Sequence, residues 1–315
     1  MIIVRVPNWI GDAVISRGFL KGLMKKFDRK ITVIGKEFLR DIFYDFEFKG
    51  FNSYKEYFEI LKSLKDKGFN EIYILPFSFS SAFFPFLVGI KIRIGFESDR
   101  RGFLLTHKLS SFCIKREHLL KSFLRLIDME ESYTLYYPEL KKFSDRERKN
   151  TIIIAPHATY GKAKEWVFFK ELSEYLLKEK FEVIVIGRKK LGEYPEGVID
   201  FRGKTDLKEV LKIISEAEYV FSNDSGIAHI AGSMGKKVFV FFGSTSPLWT
   251  KPLGENVYIF YKKVFCSPCF ERTCKYNTYE CMKKITIYAA MPIERWCTVS
   301  ATARKYGLHA SATRT

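Results

Sequence analysis

Short apolar runs alternate with longer amphipathic stretches along the first half of the chain. The first run, Ile2 to Val6, is rich in β-branched residues and ends at Pro7, as is typical of a buried strand. The next stretch, Asp12 to Phe27, places apolar residues at helical spacing. The same patterns predict further strands at 31–34, 72–75 and 92–94, and helices at 54–65 and 117–129. This order favours a parallel sheet covered by helices.

The pattern restarts after a charged segment, residues 138–150, which we interpret as a domain boundary. Beyond it, strands are predicted at 151–155, 181–186, 219–222 and 237–242, and helices at 166–177, 207–214 and 225–234. The chain is therefore predicted to be an α/β protein with two doubly wound domains, 1–145 and 151–285. Ligands of such sheets bind at the carboxyl ends of the strands, and here also in a cleft between the halves.

The last thirty residues, 286–315, have a different composition from the rest of the chain. They contain six alanines and no phenylalanine, whereas all thirty phenylalanines precede them. We interpret them as an atypical tail and assign them no function.

Composition and charge narrow the class of protein. Hydrophobic residues make up 47% of the chain, but the longest apolar run, residues 82–90, is about half of what a membrane-spanning helix needs. The N-terminus has no signal-peptide pattern, which predicts a cytoplasmic protein. The net charge of +17 is spread over both halves, +9 in residues 1–150 and +8 afterwards. It suits phosphorylated substrates, anionic lipid or nucleic acid, or only a solvated basic surface. Nucleic acid is disfavoured because no zinc-finger, helix-turn-helix or RRM spacing occurs.

The first candidate motif, Pro7-Asn8-Trp9-Ile10-Gly11-Asp12, joins the first predicted strand to the first predicted helix. Gly11 permits a tight turn, and Asp12 follows the carboxyl end of a strand. A carboxylate there can act as a general base toward a bound substrate. The alternative is that Asp12 only caps the helix, for which aspartate is a favoured residue.

Two further motifs follow predicted strands of the second half. The loop 155–166 contains small residues, hydroxyls, Lys162 and Lys164, which suit a phosphate group, although the Walker spacing is absent. The segment 222–229, Ser-Asn-Asp-Ser-Gly-Ile-Ala-His, leads into a helix whose first N–H groups would face an anion. The alternatives are a solvated basic loop and an ordinary helix capped by Asn223 or Asp224, with His229 packed on its face.

The remaining motifs are a turn and a cysteine cluster. Residues 242–247, Phe-Gly-Ser-Thr-Ser-Pro, could bind phosphate or sugar or form a plain turn. Four cysteines, Cys266, Cys269, Cys274 and Cys281, could hold a structural zinc ion. Their later spacings are irregular for a zinc finger, so free thiols and disulfides remain alternatives.

Taken together, the motifs resemble those of the ADP-heptose:lipopolysaccharide heptosyltransferases of glycosyltransferase family 9, most closely the type II enzymes. The resemblance rests on PNWIGDAV, APHATYGKAKEW, SNDSGIAHIA with FFGSTSP, and the cysteine-rich stretch CSPCFERTCKYNTYECM. It covers about residues 1–285. The sequence departs from the family pattern at His157, Lys162 and Glu165.

The resemblance implies a GT-B fold, in which two Rossmann-like domains face a central cleft. It implies inverting transfer of L-glycero-D-manno-heptose from ADP-heptose to the inner core of lipopolysaccharide at the anionic surface of the inner membrane, with no cofactor required for catalysis. By position, Asp12 would be the catalytic base and Lys164 would pair with the diphosphate. The other matched positions, expected to bind the donor, are Thr159, Asp224, Ser225, Gly226 and His229. The alternatives are a GT-B enzyme with another nucleotide-sugar or acceptor, and a non-catalytic binding protein; a nicotinamide dehydrogenase is disfavoured because no GxGxxG follows the first strand.

Overall fold

The computed structural model describes residues 1–190 and 192–290. The chain divides into two compact units, Met1–Glu139 and a second that begins at Leu140. The division falls inside the charged segment 138–150. The predicted tail, 286–315, lies outside the described residues except for its first five.

Each unit is built on one six-stranded parallel sheet. In the first unit the strand order is β3-β2-β1-β4-β5-β6. The strands β1 to β6 are Ile2–Arg5, Ile31–Lys36, Glu47–Phe51, Glu71–Ile74, Ile92–Glu97 and His107–Ser110. The central strand β1 is buried along its whole length, since helices cover both faces of the sheet. This is the strand order of a Rossmann fold, and the order reverses between β1 and β4.

Four α-helices and four 3-10 segments connect these strands. The helices α1 to α4 are Ile10–Lys26, Tyr54–Asp66, Phe79–Val88 and Leu119–Arg125. The 3-10 segments are Glu37–Phe43, Gly102–Leu104, Ser111–Cys113 and Glu130–Tyr136, the last interrupted at Ser132. The longest helix, α1, is almost wholly buried from Ala13 to Leu20, so the loop before it is held on a rigid element.

Helix α3 contains a proline in its interior. Pro85 lies inside the helix, where it cannot donate to the carbonyl oxygen of Ser81. The hydroxyl of Tyr57 donates to that oxygen instead, at 3.2 Å. Gly89 then ends the helix in the left-handed conformation, with φ of 79°. A tertiary hydrogen bond therefore replaces the one that the proline removes.

The second unit repeats the topology of the first. Its strands are all parallel and their order is β12-β11-β10-β7-β8-β9. In this sheet the order reverses between β7 and β10. The strands β7 to β12 are Thr151–Ala155, Glu182–Val185, Ile199–Asp200, Tyr219–Asn223, Lys237–Phe242 and Val257–Tyr261. The helices α5 to α10 are Phe169–Lys178, Leu207–Glu216, Gly226–Ser233, Pro247–Thr250, Glu280–Lys283 and Ile287–Ala290, and a 3-10 turn spans Lys162–Lys164.

The core of the second unit is aromatic and reaches the candidate loop. The indole of Trp166 stacks on Phe241 of β11, with ring centroids 4.0 Å apart. Its Nε1–H donates to the carbonyl of Ile285 at 2.7 Å. Trp166 therefore anchors the end of the loop 155–166 between the sheet and the segment that carries α9.

The predicted α/β class with two parallel sheets is confirmed. The elements that the sequence patterns missed include the outer strands β3, β6, β9 and β12 and the helix α3. Among the described residues, no helix is long and apolar enough to cross a membrane.

Candidate functional site

Asp12 lies at the point where the strand order of the first sheet reverses. The loop after β1 leads into α1, whose N-cap is Trp9, and Asp12 is the third residue of the helix. Asp12 is therefore not the N-cap, and the interpretation that it only caps the helix is wrong. Its half-buried carboxylate lies in the first turn, where the helix dipole stabilises a negative charge.

Arg5, at the end of β1, holds the turn that precedes Asp12. Its guanidinium donates to the side-chain oxygen of Asn8 at 2.6 Å and to the carbonyl of Val6. It also lies over the ring of Phe51, 4.8 Å from the centroid. The sequence analysis did not single out Arg5, because a charged residue inside a strand gives no signal of what it contacts.

Arg5 and Arg101 form a buried cationic pair of side chains around Tyr57 in the first unit. Arg101 is fully buried and donates to the carbonyls of Phe96 and Ser78 and to the hydroxyl of Ser81. Burial lowers the pKa of Arg101 to about 10 and also lowers the pKa of Arg5. Among the described residues, no ion pair joins either arginine to a carboxylate, but the nearby charge of Asp99 opposes the lowering of the Arg101 pKa.

In the second unit, Asn223 clamps both ends of the loop 155–166. Its side-chain nitrogen donates to the carbonyl of Pro156 at 2.6 Å, and its oxygen accepts from the backbone N–H of Trp166 at 2.9 Å. Asn223 is completely buried at the end of β10, the strand beside β7. The clamp therefore fixes the loop at the point where the second sheet reverses its order.

Lys164 is buried at the end of this loop and forms an ion pair with Asp224. The ammonium nitrogen lies 2.5 Å from one carboxylate oxygen of Asp224, and the hydroxyl of Thr245 donates to the same oxygen at 2.6 Å. His229 Nε2 lies 4.0 Å from the other oxygen. Lysine and aspartate seldom lie this deep unless they are paired, so Asp224 serves to hold the ammonium group in a fixed position.

Ser225 and Gly226 form the start of α7 directly after Asp224. Ser225 is the N-cap, and in the described structure its side chain makes no capping hydrogen bond; its hydroxyl lies 2.9 Å from that of Ser222. Neither Asn223 nor Asp224 is the cap, because their side chains have the partners given above. The first N–H groups of α7 and the Lys164 ammonium together form a positive site suited to a phosphate.

The family departures in the loop compensate for one another. His157 lies 3.5 Å from the carboxylate of Glu165, which also accepts from the N–H of Ala158 at 3.1 Å. Burial alone would raise the pKa of Glu165, but these contacts keep it below its ordinary value. Thr159, on the same loop, is exposed.

The cysteine-rich segment supports the loop from the other side. The carbonyl of Arg272 accepts from the N–H of Ala163 at 3.0 Å, and the hydroxyl of Tyr160 donates to the carbonyl of Phe270. A side chain at Gly161 would overlap the Arg272 carbonyl, so this contact requires glycine. The segment therefore helps to position the turn that carries Lys164.

The four cysteines of this segment line one cavity of about 20 Å³, together with Ser244 and Ala163. Within residues 1–190 and 192–290, however, no three or more His, Cys, Asp or Glu side chains are arranged to hold a metal ion. The zinc expectation for Cys266, Cys269, Cys274 and Cys281 thus finds no support, and the segment's observed role is the contact with the loop.

The structure brings together Lys164, Asp224 and His229, with Ser225 and Gly226 next to them. Asp12 belongs to the other unit. Thr245 and Asn223 complete the cluster; the sequence pointed to their motifs, but not to their roles, because both act through contacts with residues distant along the chain.

The family comparison decides what kind of protein carries this site. The model of glycosyltransferase family 9 (heptosyltransferase) matches residues 57–280. The chain belongs to glycosyltransferase family 9. It is therefore a glycosyltransferase, and the family expected from the motifs is confirmed.

Individual relatives and solved structures agree with this assignment. Lipooligosaccharide heptosyltransferase 2 of Haemophilus ducreyi is 26% identical, over 82% of this chain and 87% of the relative. The structure of E. coli ADP-heptose lipopolysaccharide heptosyltransferase II superposes with a TM-score of 0.70 at 21% identity, covering 92% of this chain and 99% of that one. E. coli heptosyltransferase WaaC with ADP gives 0.64 at 14% identity, covering 82% and 92%. The fold is thus that of the GT-B heptosyltransferases, with two Rossmann-like domains.

Proposed function

We propose that this glycosyltransferase moves L-glycero-D-manno-heptose from ADP-heptose to the inner core of lipopolysaccharide, with inversion at the anomeric carbon. The observation that carries the proposal is the buried Lys164–Asp224–Thr245 cluster at the start of α7. It lies at the switch point of the second sheet, where Rossmann-like domains bind nucleotides. The relatives that are heptosyltransferases, heptosyltransferase 2 among them, support the choice of sugar.

On the donor side, the second unit supplies positive charge to the leaving diphosphate. Lys164 donates to the diphosphate oxygens as negative charge develops there, and the N–H groups of Ser225 and Gly226 add the field of the helix terminus. Asp224 keeps the ammonium in place, and His229 and Thr159 line the nucleotide-sugar. Because these groups are fixed before the reaction, they need not reorganise during it, and the scheme uses no cofactor.

On the acceptor side, Asp12 acts as the general base. Its carboxylate takes the proton of the acceptor hydroxyl while that oxygen forms a bond to the anomeric carbon of heptose. The bond from this carbon to the ADP oxygen breaks in the same step, and its electron pair leaves with ADP. Attack opposite the leaving group inverts the configuration. The charge of Arg5 and Arg101, offset in part by the nearby Asp99, favours an anionic acceptor on this unit.

The proposal also places the enzyme at the cytoplasmic surface of the inner membrane. A lipopolysaccharide acceptor is anchored in lipid, and a chain of net charge +17 is attracted to an anionic bilayer. The membrane is thus a partner together with the two substrates.

The direct test is incubation of the purified chain with ADP-heptose and a set of truncated, de-acylated inner-core acceptors. Product mass and ADP release are measured for each acceptor, and NMR of the product gives the anomeric configuration. We expect one acceptor to gain a single heptose, with inversion. Turnover of a different nucleotide-sugar, and none of ADP-heptose, would contradict the choice of donor.

A further inference from the structure

Helix α3 of the first unit exposes an apolar face. Its ten residues, Phe79–Val88, include no charged side chain. The inner face consists of Ser81, Ala82, Pro85 and Val88, which are buried. The outer residues Phe79, Phe83, Phe86 and Leu87 follow the spacing i, i+4, i+7, i+8 and so share the opposite side of the helix. A helix on the surface of a globular protein ordinarily has polar residues there.

A neighbouring segment extends this apolar surface. Phe103, in the 3-10 turn Gly102–Leu104, lies with its ring centroid 6.3 Å from that of Phe79, which in turn lies 5.8 Å from Phe83. Phe103 is 72% exposed, Leu87 56% and Phe86 46%. We name the five residues Phe79, Phe83, Phe86, Leu87 and Phe103 the aromatic face. Contiguous exposed apolar surface of this kind marks an interaction site.

Cationic side chains outnumber acidic ones around the aromatic face. The guanidinium of Arg93 lies over the ring of Phe86, 5.4 Å from its centroid, and its Nε donates to the carbonyl of Leu104 at 2.6 Å. From the start of α3 to the end of β6, residues 79–110, five lysines and arginines stand against two acidic residues. Lys91 and Arg100 are exposed, while the exposed Lys108 pairs with Glu97 at 3.1 Å. The other acidic residue, Asp99, accepts from the N–H of Phe79 at 2.6 Å.

The charge decides which partner fits the face. Contact between two copies of the face would bring two positive rims together, which is unfavourable. An anionic bilayer matches both the apolar face and the cations around it, because aromatic rings insert at the headgroup level and cations pair with lipid phosphates. Phe79, at the start of α3, follows the carboxyl end of β4 and so lies at the same end of the sheet as Asp12 after β1, whereas Phe86 and Leu87 lie near the other end of α3.

We propose that the aromatic face docks the first unit on an anionic lipid bilayer, with Arg93 and the exposed cations around it in contact with lipid headgroups. The inference rests on the proposed function for its purpose, because docking through this face would bring a lipid-anchored acceptor close to the unit that carries Asp12. The docking itself is a property of this surface and is measured without any substrate.

The test compares flotation of the full chain with vesicles of phosphatidylglycerol and phosphatidylcholine and with vesicles of phosphatidylcholine alone. We expect binding to the anionic vesicles only, weakened by salt. The triple variant Phe86→Ser, Leu87→Ser, Phe103→Ser should bind at least about tenfold more weakly, given the apolar area removed. The matched control is Leu135→Ser, which removes a side chain that is 73% exposed in another part of the same unit and should bind like the parent.

Absence of binding by the parent chain, or equal binding by the triple variant, would overturn the proposal. So would light scattering that shows a dimer of the parent chain which the triple variant loses, since the occupant would then be a second copy. Turnover of ADP-heptose with a water-soluble, de-acylated acceptor should be the same in the triple variant and the parent, which shows that the variant is folded. If the triple variant does not fold, Phe103→Ser alone serves, because this ring is the most exposed of the five. Loss of turnover in the parent would count against the proposed function and leave the vesicle result to judge the docking face.

Discussion

The two units share one topology and differ in the chemistry they carry where the strand order reverses. In the first unit this position holds a half-buried carboxylate, Asp12, on a turn fixed by Arg5. In the second it holds a buried ammonium, Lys164, on a loop fixed by Asn223 and supported by a carboxylate, Asp224. The same backbone thus presents a proton acceptor on one unit and a positive charge on the other, which are the two groups that a single displacement with an anionic leaving group requires.

The units also differ in how they treat a buried arginine. Arg101 of the first unit is held by carbonyl and hydroxyl oxygens, whereas Arg202 of the second is paired with the carboxylate of Asp200 at 2.9 Å. The first unit therefore holds its buried arginine through neutral oxygens, with the nearby charge of Asp99 offsetting part of its positive charge. The second unit neutralises its arginine, and its charged site is confined to Lys164 and the start of α7.

The sharpest way to break the comparison is to neutralise Asp12. The variant Asp12→Asn should lower kcat by about 10³-fold, since a general base contributes roughly 10² to 10⁴-fold. Affinity for ADP-heptose should stay at the parent value, because the proposed donor site is on the second unit. Steady-state kinetics and calorimetric titration check both. The control is Asp28→Asn, an exposed aspartate just beyond the other end of α1. Undiminished turnover in Asp12→Asn would reject its role as base.

The corresponding change in the second unit is Lys164→Met. It should lower kcat/KM by about 10²-fold and weaken binding of ADP, because in the proposed mechanism the ammonium stabilises the diphosphate in both the bound state and the transition state. Lys162→Met is the matched control, since Lys162 is an exposed lysine of the same 3-10 turn. Equal affinity of Lys164→Met and the parent for ADP would contradict the assignment.

A double variant separates the role of Lys164 in catalysis from its role in stability. Lys164→Met alone leaves the carboxylate of Asp224 buried without its cation, which destabilises the fold. The double variant Lys164→Met, Asp224→Asn removes both charges. It should regain most of the lost thermal stability while remaining as poor a catalyst as the single variant. Recovery of turnover together with stability would mean that Lys164 acts only through folding.

A smaller effect is expected from removing the two hydrogen bonds by which Asn223 holds the loop 155–166 of the second unit. Asn223→Ala leaves the N–H of Trp166 and the carbonyl of Pro156 buried without their partner, which should cost roughly 2–4 kcal/mol of unfolding free energy. Asn256→Ala, which removes one exposed hydrogen bond to Gly235, should change stability by no more than about 0.5 kcal/mol. Urea unfolding of both variants measures the difference. Equal stability of Asn223→Ala and the parent would show that the loop does not depend on the clamp.

The sequence patterns predicted the interior of both sheets better than their edges. Strands such as Thr151–Ala155 are buried on both faces and read as continuous apolar runs. The edge strands β6 and β9 are short and partly exposed, so their patterns resemble loops. Helix α3 was missed because Pro85 argues against a helix, and the hydrogen bond from Tyr57 that compensates for it comes from a residue 28 positions earlier.

Residues of the candidate site that are neighbours in one sequence motif were predicted, whereas those that contact residues distant along the chain were missed. Asp224, Ser225 and Gly226 are neighbours in one motif that follows a strand, so position alone indicated an anion site. The roles of Thr245 and Arg5 depend on contacts that the sequence does not reveal. Thr245 contacts Asp224, and Arg5 contacts Asn8. The cysteine spacing left zinc, free thiols and disulfides as alternatives, whereas the described fold uses that segment to hold the Lys164 loop.

The smallest expected effect is the pH dependence of the stabilisation that Asp200 gives to the buried Arg202, which has no counterpart at Arg101. Hydrogen bonds from Arg202 lower the pKa of Asp200 to about 2, below the value of roughly 3.9 in an unfolded chain. A lowered folded pKa means that the pair stabilises the fold fully above about pH 4 and loses this stabilisation as the pH falls toward 2. Because Asp200 is partly exposed, Asp200→Asn should cost at most about 1 kcal/mol at pH 7. Urea unfolding at pH 7, 4 and 3 should show that the difference in unfolding free energy between the variant and the parent becomes smaller below pH 4. A difference that stays constant over this range would mean that the charge on Asp200 contributes nothing to stability. Both units would then hold their buried arginine by neutral contacts alone.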